Sequence, residues 1–238
     1  MRWEGYVDYA ETRRAIEVLQ APGEVFEVRI ISTSNRKTII SGYFTDPDTL
    51  FEKLDTVDLR KRNVYITLGK VREECFSRSQ SECFEQTNTT TSDHEIVAYR
   101  WLFIDLDPIR PTGVSASDQE LQKAQELSDI VYEYMRGLGF PEPVKAMSGN
   151  GYHLLYRLDV LNDEDGRALV KRCLDNLSVM FDNDHVKIDT TNSNPSRICK
   201  LHGTLAQKGK STAKRPHRMS RLLHVPDNVE ITPIETLQ

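Results

Sequence analysis

Residues 101–108, WLFIDLDP, set four large apolar side chains directly ahead of two aspartates one residue apart. Such a run reads as a buried central strand. In a strand, residues i and i+2 share a face, so Asp105 and Asp107 project side by side, roughly 6.5 to 7 Å apart at the backbone, while Leu106 faces the core. Two carboxylates at the end of a buried strand cost free energy through desolvation and mutual repulsion unless a proton or a cation compensates. A divalent cation does this well, because Mg²⁺ takes hard oxygen ligands, typically one or two carboxylates plus substrate phosphates. The bland alternative has Asp107 capping a turn before Pro108 and Asp105 solvated at the strand end.

The rest of the chain fits one large domain or two small ones sharing a core, and 238 residues with 28% charged side chains read as a soluble globular protein. No apolar run approaches the roughly 18 residues of a membrane span, and the start, MRWEGYVDYAETRR, lacks the profile of a signal peptide, so the expected place is the cytoplasm, away from membranes. Cys75, Cys83, Cys173 and Cys199 are irregularly spaced, which predicts reduced thiols. Zinc on Cys75, Cys83 and His94 would need a spacing that matches no common ligand set.

Residues 9–19 carry Ala10, Ile16 and Leu19 at helical spacing, FEVRIIS (26–32) and TIISGYF (38–44) are β-rich runs around the turn SNRK, DTLFEKL after Pro47 is a short helix, and NVYITLG (63–69) is a further strand. The polar stretch 77–93 has almost no aliphatic residues and predicts a mobile loop. In the second half, a capping box at Ser115 to Asp118 opens a helix reaching Gly139. PVKAMSGNGYHLLYRL (143–158) predicts strand, turn, strand. A helix follows at about 163–181, then short strands VKID, RICKLHG and RLLHV. The sum is an α/β (α+β) chain with an open mixed sheet and helices packed against it.

Three further segments bear on chemistry. Asp189 ends the strand VKID and is the last acid before a basic block, so a third carboxylate stands ready to complete a two-metal site. SGNGYHLLY (148–156) surrounds a turn where Gly149 and Gly151 let a backbone approach a ligand and expose amide N–H groups, with Ser148 and His153 beside it. Such a turn suits phosphate. Charge is distributed unevenly: residues 1–189 carry 33 acids against 23 Lys/Arg, whereas residues 190–226 carry no acid and 8 Lys/Arg. Within that block Arg197 and Lys200 could neutralise a triphosphate, and Lys208, Lys210, Lys214, Arg215 and Arg218 form a Gly- and Pro-punctuated strip suited to a nucleic-acid backbone.

WLFIDLDP, SGNGYHLLY and KIDTTNSNPSRICKLHGT, in that order and spacing, resemble motifs I, II and III of the archaeo-eukaryotic primase superfamily, most closely the primase-polymerase domains of phages, plasmids and other mobile elements, where DP.RP and KG....RPHR also recur. The resemblance covers about residues 93–221. It implies a primase catalytic core, with an N-terminal α/β subdomain (1–92) packed on an RRM-like mixed-sheet subdomain (93–238). It also implies Asp105, Asp107 and Asp189 as catalytic ligands of two Mg²⁺ or Mn²⁺ ions. Ser148, Gly149, Gly151, His153, Arg197 and Lys200 would surround the incoming nucleotide; Tyr152 is expected near the sugar from its place beside His153 in the sequence. The implied activity is template-directed nucleotidyl transfer from NTPs or dNTPs to a primer 3′-hydroxyl or an initiating nucleotide on single-stranded DNA. The implied setting is a longer protein in which a helicase or primase C-terminal module follows Gln238. His202 stands where related sequences often have another residue. A metal-dependent nuclease, a phosphatase with a strand-end DxD, and a non-catalytic single-strand-binding module are the alternatives. Against the phosphatase, Pro108 stands where such enzymes carry glycine.

Overall fold

The computed structural model describes residues 3–34, 39–78 and 84–238; the tip of the SNRK turn and Cys83 lie outside them. Local chemistry sets the element boundaries. Helix α1 (Tyr9–Leu19) starts where the Asp8 carboxylate accepts the Glu11 N–H at 3.1 Å. Strands β1 (Phe26–Ser32) and β2 (Ile39–Phe44) form an antiparallel hairpin. Helix α2 (Pro47–Leu54) has Asp46 as its cap and proline in its first turn, where the missing N–H costs nothing. Strands β3 (Arg62–Thr67), β4 (Lys70–Val71) and β5 (Glu85–Thr87) follow, then the thirteen-residue β6 (Ile96–Pro108).

Helix α3 (Asp118–Gly137) opens on a reciprocal capping box between Ser117 and Glu120, two residues later than the SASD reading, and is followed by β7 (Val144–Met147) and β8 (Tyr152–Leu161). Helix α4 (Glu164–Phe181) is capped by Asp163. The chain then runs through β9 (Val186–Ile188), β10 (Ile198–Lys200), β11 (Leu205–Ala206), β12 (Arg218–Met219), β13 (Arg221–His224) and the single turn α5 (Ile234–Leu237).

The unit β6-α3-β7-β8-α4-β9 has spatial order β7-β8-β6-β9, every neighbouring pair antiparallel. Each helical crossover therefore skips one strand position, and the skipped slot is filled by a strand running the other way. This is the interleaved split β-α-β arrangement of ferredoxin-like and RRM-like sheets. It also corrects the expectation of a mixed sheet: the strand ladders are antiparallel, because no crossover joins two adjacent strands.

Burial alternates along β6. Leu102, Ile104 and Leu106 pack with Leu154, Tyr156 and Leu158 of β8 under α3 and α4. Trp101 and Phe103 point to the opposite face and join Leu155, Val144 and Ala146 in the core shared with Val28, Ile30, Val64 and Ile66 of the first half. With both faces covered, the strand has to be apolar at nearly every position.

The first sheet runs β10-β3-β1-β2-β5. Strand β10 comes from the second half of the chain and pairs with β3, while β4 pairs with β6 in the other direction. Chain exchange across residue 92 thus ties the two sheets together. The stretch expected to be a mobile loop is in part built in: β5 pairs with β2, and Thr91 is buried, donating its N–H to Glu27 Oε2 at 3.1 Å and accepting from Arg29 Nη2 at 2.8 Å. Buried Glu27, held by Arg29 and Ser41, draws this polar segment in. Cys75, Cys173 and Cys199 are free thiols. Among the described residues no helix is long and apolar enough to cross a membrane.

Candidate active site

Register brings the predicted acids together. Asp105 on β6 pairs with His153 on β8, and on its other side the N–H of Asp189 donates to the Asp105 carbonyl at 3.0 Å, continuing the Leu106–Ile188 pairing of β6 with β9. Cross-strand partners project to the same face, so His153, Asp105 and Asp189 form a row across three strands, with Asp107 two residues further along β6. All four line one cleft of about 520 Å³ whose opposite wall comes from the ends of β1 and β3.

The carboxylates are only partly compensated: Arg110 Nη1 stands 3.4 Å from Asp107 Oδ1, and among the described residues no cation reaches the buried oxygen of Asp105. Asp105 Oδ1 is buried and has no hydrogen-bond partner, and His153 Nε2 stands 3.5 Å from it, too far for a strong bond. Burial, and then repulsion by Asp105, push the Asp107 carboxyl up to about 6, although 46% of the side chain is open to the cleft. Solvent reaching that open side limits the shift; burial and the like charge of Asp105 set its upward direction against the opposite pull of Arg110, Lys208 and His153. One oxygen of Asp189 is engaged by the Thr191 N–H at 2.9 Å and hydroxyl at 2.6 Å. No three His, Cys, Asp or Glu side chains converge on one point among the described residues. The donor set nonetheless fits a hard divalent cation: an orphaned carboxylate oxygen and a neighbour with raised pKa are what bound positive charge would relieve.

The turn after β7 behaves differently from the expectation. Ser148 Oγ accepts the N–H of Asn150 at 3.3 Å and of Gly151 at 3.0 Å, so these amides are satisfied inside the turn. Ser148 and Asn150 line the cleft, but the glycines serve packing: a Cβ at Gly151 would meet Leu106 O at 2.5 Å and Asp107 Oδ1 at 2.9 Å, and Gly149, at φ +95°, abuts Ala206. Tyr152 departs from its predicted place near the nucleotide. Alternation along β8 sends its ring against α3, where its hydroxyl donates to Gln125 at 3.1 Å, while His153 takes the cleft face.

Arg197 and Lys200 both reach the cleft. Arg197 donates to the Thr191 carbonyl and hydroxyl, its Nε is buried without a partner, and burial pulls its pKa down against the attraction of Asp189 and Asp105. Lys200 is buried, its ammonium bonded to the Leu205 carbonyl at 3.1 Å and the Val64 carbonyl at 3.4 Å, and burial lowers its pKa to about 7.

The basic strip divides. Lys208 lines the cleft, and Lys210 and Lys214 are exposed. Arg215 is bidentate to Glu120 (2.6 and 2.7 Å) and Arg218 is paired with Asp118 at 2.6 Å, so these guanidiniums pin the N-terminus of α3 and are not open cations. Arg110, not singled out from the sequence, packs under the site: its Nη1 donates to the Pro108 carbonyl at 2.9 Å and lies 3.4 Å from Asp107 Oδ1. The DPIRP segment carried that signal.

No protein-family model matches the chain, and no curated protein sequence matches it. Among solved structures it is similar to the crystal structure of primase RepB′, with a TM-score of 0.49 and 11% identity over 91% of this chain. The chain spans 56% of that protein's length.

Proposed function

We propose that the chain is a template-directed nucleotidyl transferase, a primase-polymerase acting on NTPs or dNTPs with single-stranded DNA. The observation that supports this most is the His153-Asp105-Asp189 row beside Asp107, set in one cleft with Arg197, Lys200 and Lys208. Two Mg²⁺ or Mn²⁺ ions held by Asp105, Asp107 and Asp189 would supply the charge that activates a 3′-hydroxyl and steadies departing pyrophosphate. The chain's own groups do the positioning. His153 offers a ring nitrogen at the acids' edge, Arg197 an unused buried donor, and Lys200 an ammonium at the floor, all in a partly desolvated space where fixed donors act strongly. The bond formed joins the 3′-oxygen to the α-phosphorus; the bond broken is the one from the α-phosphorus to the bridging oxygen, which leaves with its electron pair as pyrophosphate, and the hydroxyl proton passes to water.

Incubation with labelled single-stranded DNA and a divalent ion, with and without nucleotides, tests the assignment. Nucleotide-dependent products longer than the label support it; shortening without nucleotide turns the reading to a nuclease.

Lys200 provides a second test. Its pKa of about 7, against 10.5 for a free lysine, leaves it largely neutral at pH 8, and a polyphosphate in the cleft favours the ammonium. Tripolyphosphate binding at pH 8 is therefore expected to take up as much as one proton, read by calorimetry in buffers of different ionisation enthalpy. Lys200→Met should abolish the uptake, and no uptake by the wild type would remove Lys200 from the phosphate path. The same shift makes the unfolded chain bind more protons between about pH 7 and 10, so this group's contribution to stability rises with pH there.

For DNA, Lys210→Glu with Lys214→Glu is expected to reduce the slope of log K against log salt by about 1.4, near 0.7 per lost phosphate contact. Arg215→Gln should chiefly lower Tm. The reverse pattern would return the strip to Arg215.

A further inference from the structure

His202 plays no part in the activity proposed above, and its setting is unusual. It is fully buried, and its Nε2 lies 3.3 Å from His153 Nδ1. Its position is fixed from several sides. The Leu201 N–H donates to the Val64 carbonyl at 3.0 Å, the Gly203 N–H to the Ser220 carbonyl at 2.8 Å, and the Asp8 N–H to the Gly203 carbonyl at 2.7 Å. Gly203 sits at φ +85°, so close to the start of α1 that a Cβ would meet Thr12 N at 2.5 Å. The imidazole is thus delivered to His153 by a segment with little freedom.

A neutral imidazole has one N–H and one lone pair, so one of the two rings donates across the 3.3 Å contact. Burial, aided by His153 and Lys200, holds His202 well below its usual pKa, in the neutral form. Its other nitrogen, Nδ1, is buried with no partner. If His202 accepted from His153, its own proton would sit on Nδ1 as a buried, unmet N–H. If His202 donates through Nε2, Nδ1 is left as a bare lone pair. Orphaned buried N–H groups are the rarer of the two defects, so donation by His202 wins.

We propose that His202 is a positioning residue that sets the tautomer of His153: by donating to His153 Nδ1 it keeps the His153 proton on Nε2, the nitrogen that faces Asp105 and the cleft. The consequence is chemical. With Nε2–H, His153 presents a donor to an anionic phosphate oxygen, whereas the Nδ1–H tautomer presents a lone pair and repels it. The role assigned to His153 rests on the nucleotidyl-transfer reading; the tautomer itself does not.

Long-range ¹H–¹⁵N correlation spectra of the histidine rings read the tautomer without substrate or metal. In the wild type His153 is expected as Nε2–H; an Nδ1–H signal there would overturn the proposal by itself. His202→Phe should move His153 to Nδ1–H or to a mixture, and weaken tripolyphosphate binding about tenfold, the loss of one charge-assisted hydrogen bond. His202→Gln, whose side-chain amide can still donate, should restore both. A His153 that remains Nε2–H in the folded Phe variant would also overturn it. Wild type that shows Nε2–H yet does not bind tripolyphosphate supports the tautomer control and counts against nucleotide binding instead, so the two claims fail separately.

Discussion

Asp105→Asn is expected to cut nucleotide incorporation by roughly a thousandfold or more while the protein remains folded. Asp105 sits between His153 and Asp189 with one oxygen buried and unpartnered, so the amide keeps the shape and removes the charge. The same change should raise Tm in the presence of a chelator, because the wild-type pair is destabilised by its own repulsion, as functional sites often are. The sign with pH follows. Asp107, raised to about 6 by burial and by Asp105, binds more protons folded than unfolded between about pH 4 and 6, so wild-type stability from this group falls as pH rises through that window. In Asp105→Asn the fall should shrink. A melting series from pH 4 to 8 checks it, and a variant with unchanged incorporation would remove Asp105 from the chemistry.

Gly151→Ala is expected to cost about 3 kcal/mol of stability and at least tenfold in activity. The added carbon would lie 2.5 Å from the Leu106 carbonyl and 2.9 Å from the Asp107 carboxylate. The first of these is backbone in the central strand and has nowhere to go, so the strain is relieved by shifting the start of β8 and with it the Asp107 side chain. Gly137→Ala, at the end of α3 with open space around it, is the control and should leave Tm and activity nearly unchanged. Equal melting temperatures for the two variants would show that the close approach at Gly151 is not structural.

Much of this site was legible because it depends on local order. Strand periodicity places Asp105 and Asp107 on one face, and the helical spacing of 9–19, the run DTLFEKL and the capping box at Ser115 to Asp118 put three helix starts within two residues of where the structure has them. What pairs across the chain was not legible. That β10 leaves the second half to join β3, and that β4 pairs with β6, depends on long-range register with no local signature. The strip 208–218 reads as open positive charge because Glu120 and Asp118 lie about a hundred residues away in sequence. The glycine turn reads as exposed amides because Ser148 Oγ, which takes them up, also fits a phosphate-facing role. Tyr152 was misplaced by adjacency to His153, although period-two alternation in β8 sends neighbours to opposite faces.

Template direction is the centre of the account, and homopolymer templates test it most directly. On an unprimed or primed dT strand with Mn²⁺, the protein is expected to incorporate adenine nucleotides alone, and on dC guanine nucleotides alone, each with one pyrophosphate released per addition. Incorporation indifferent to the template base, or pyrophosphate release without any strand, would contradict it.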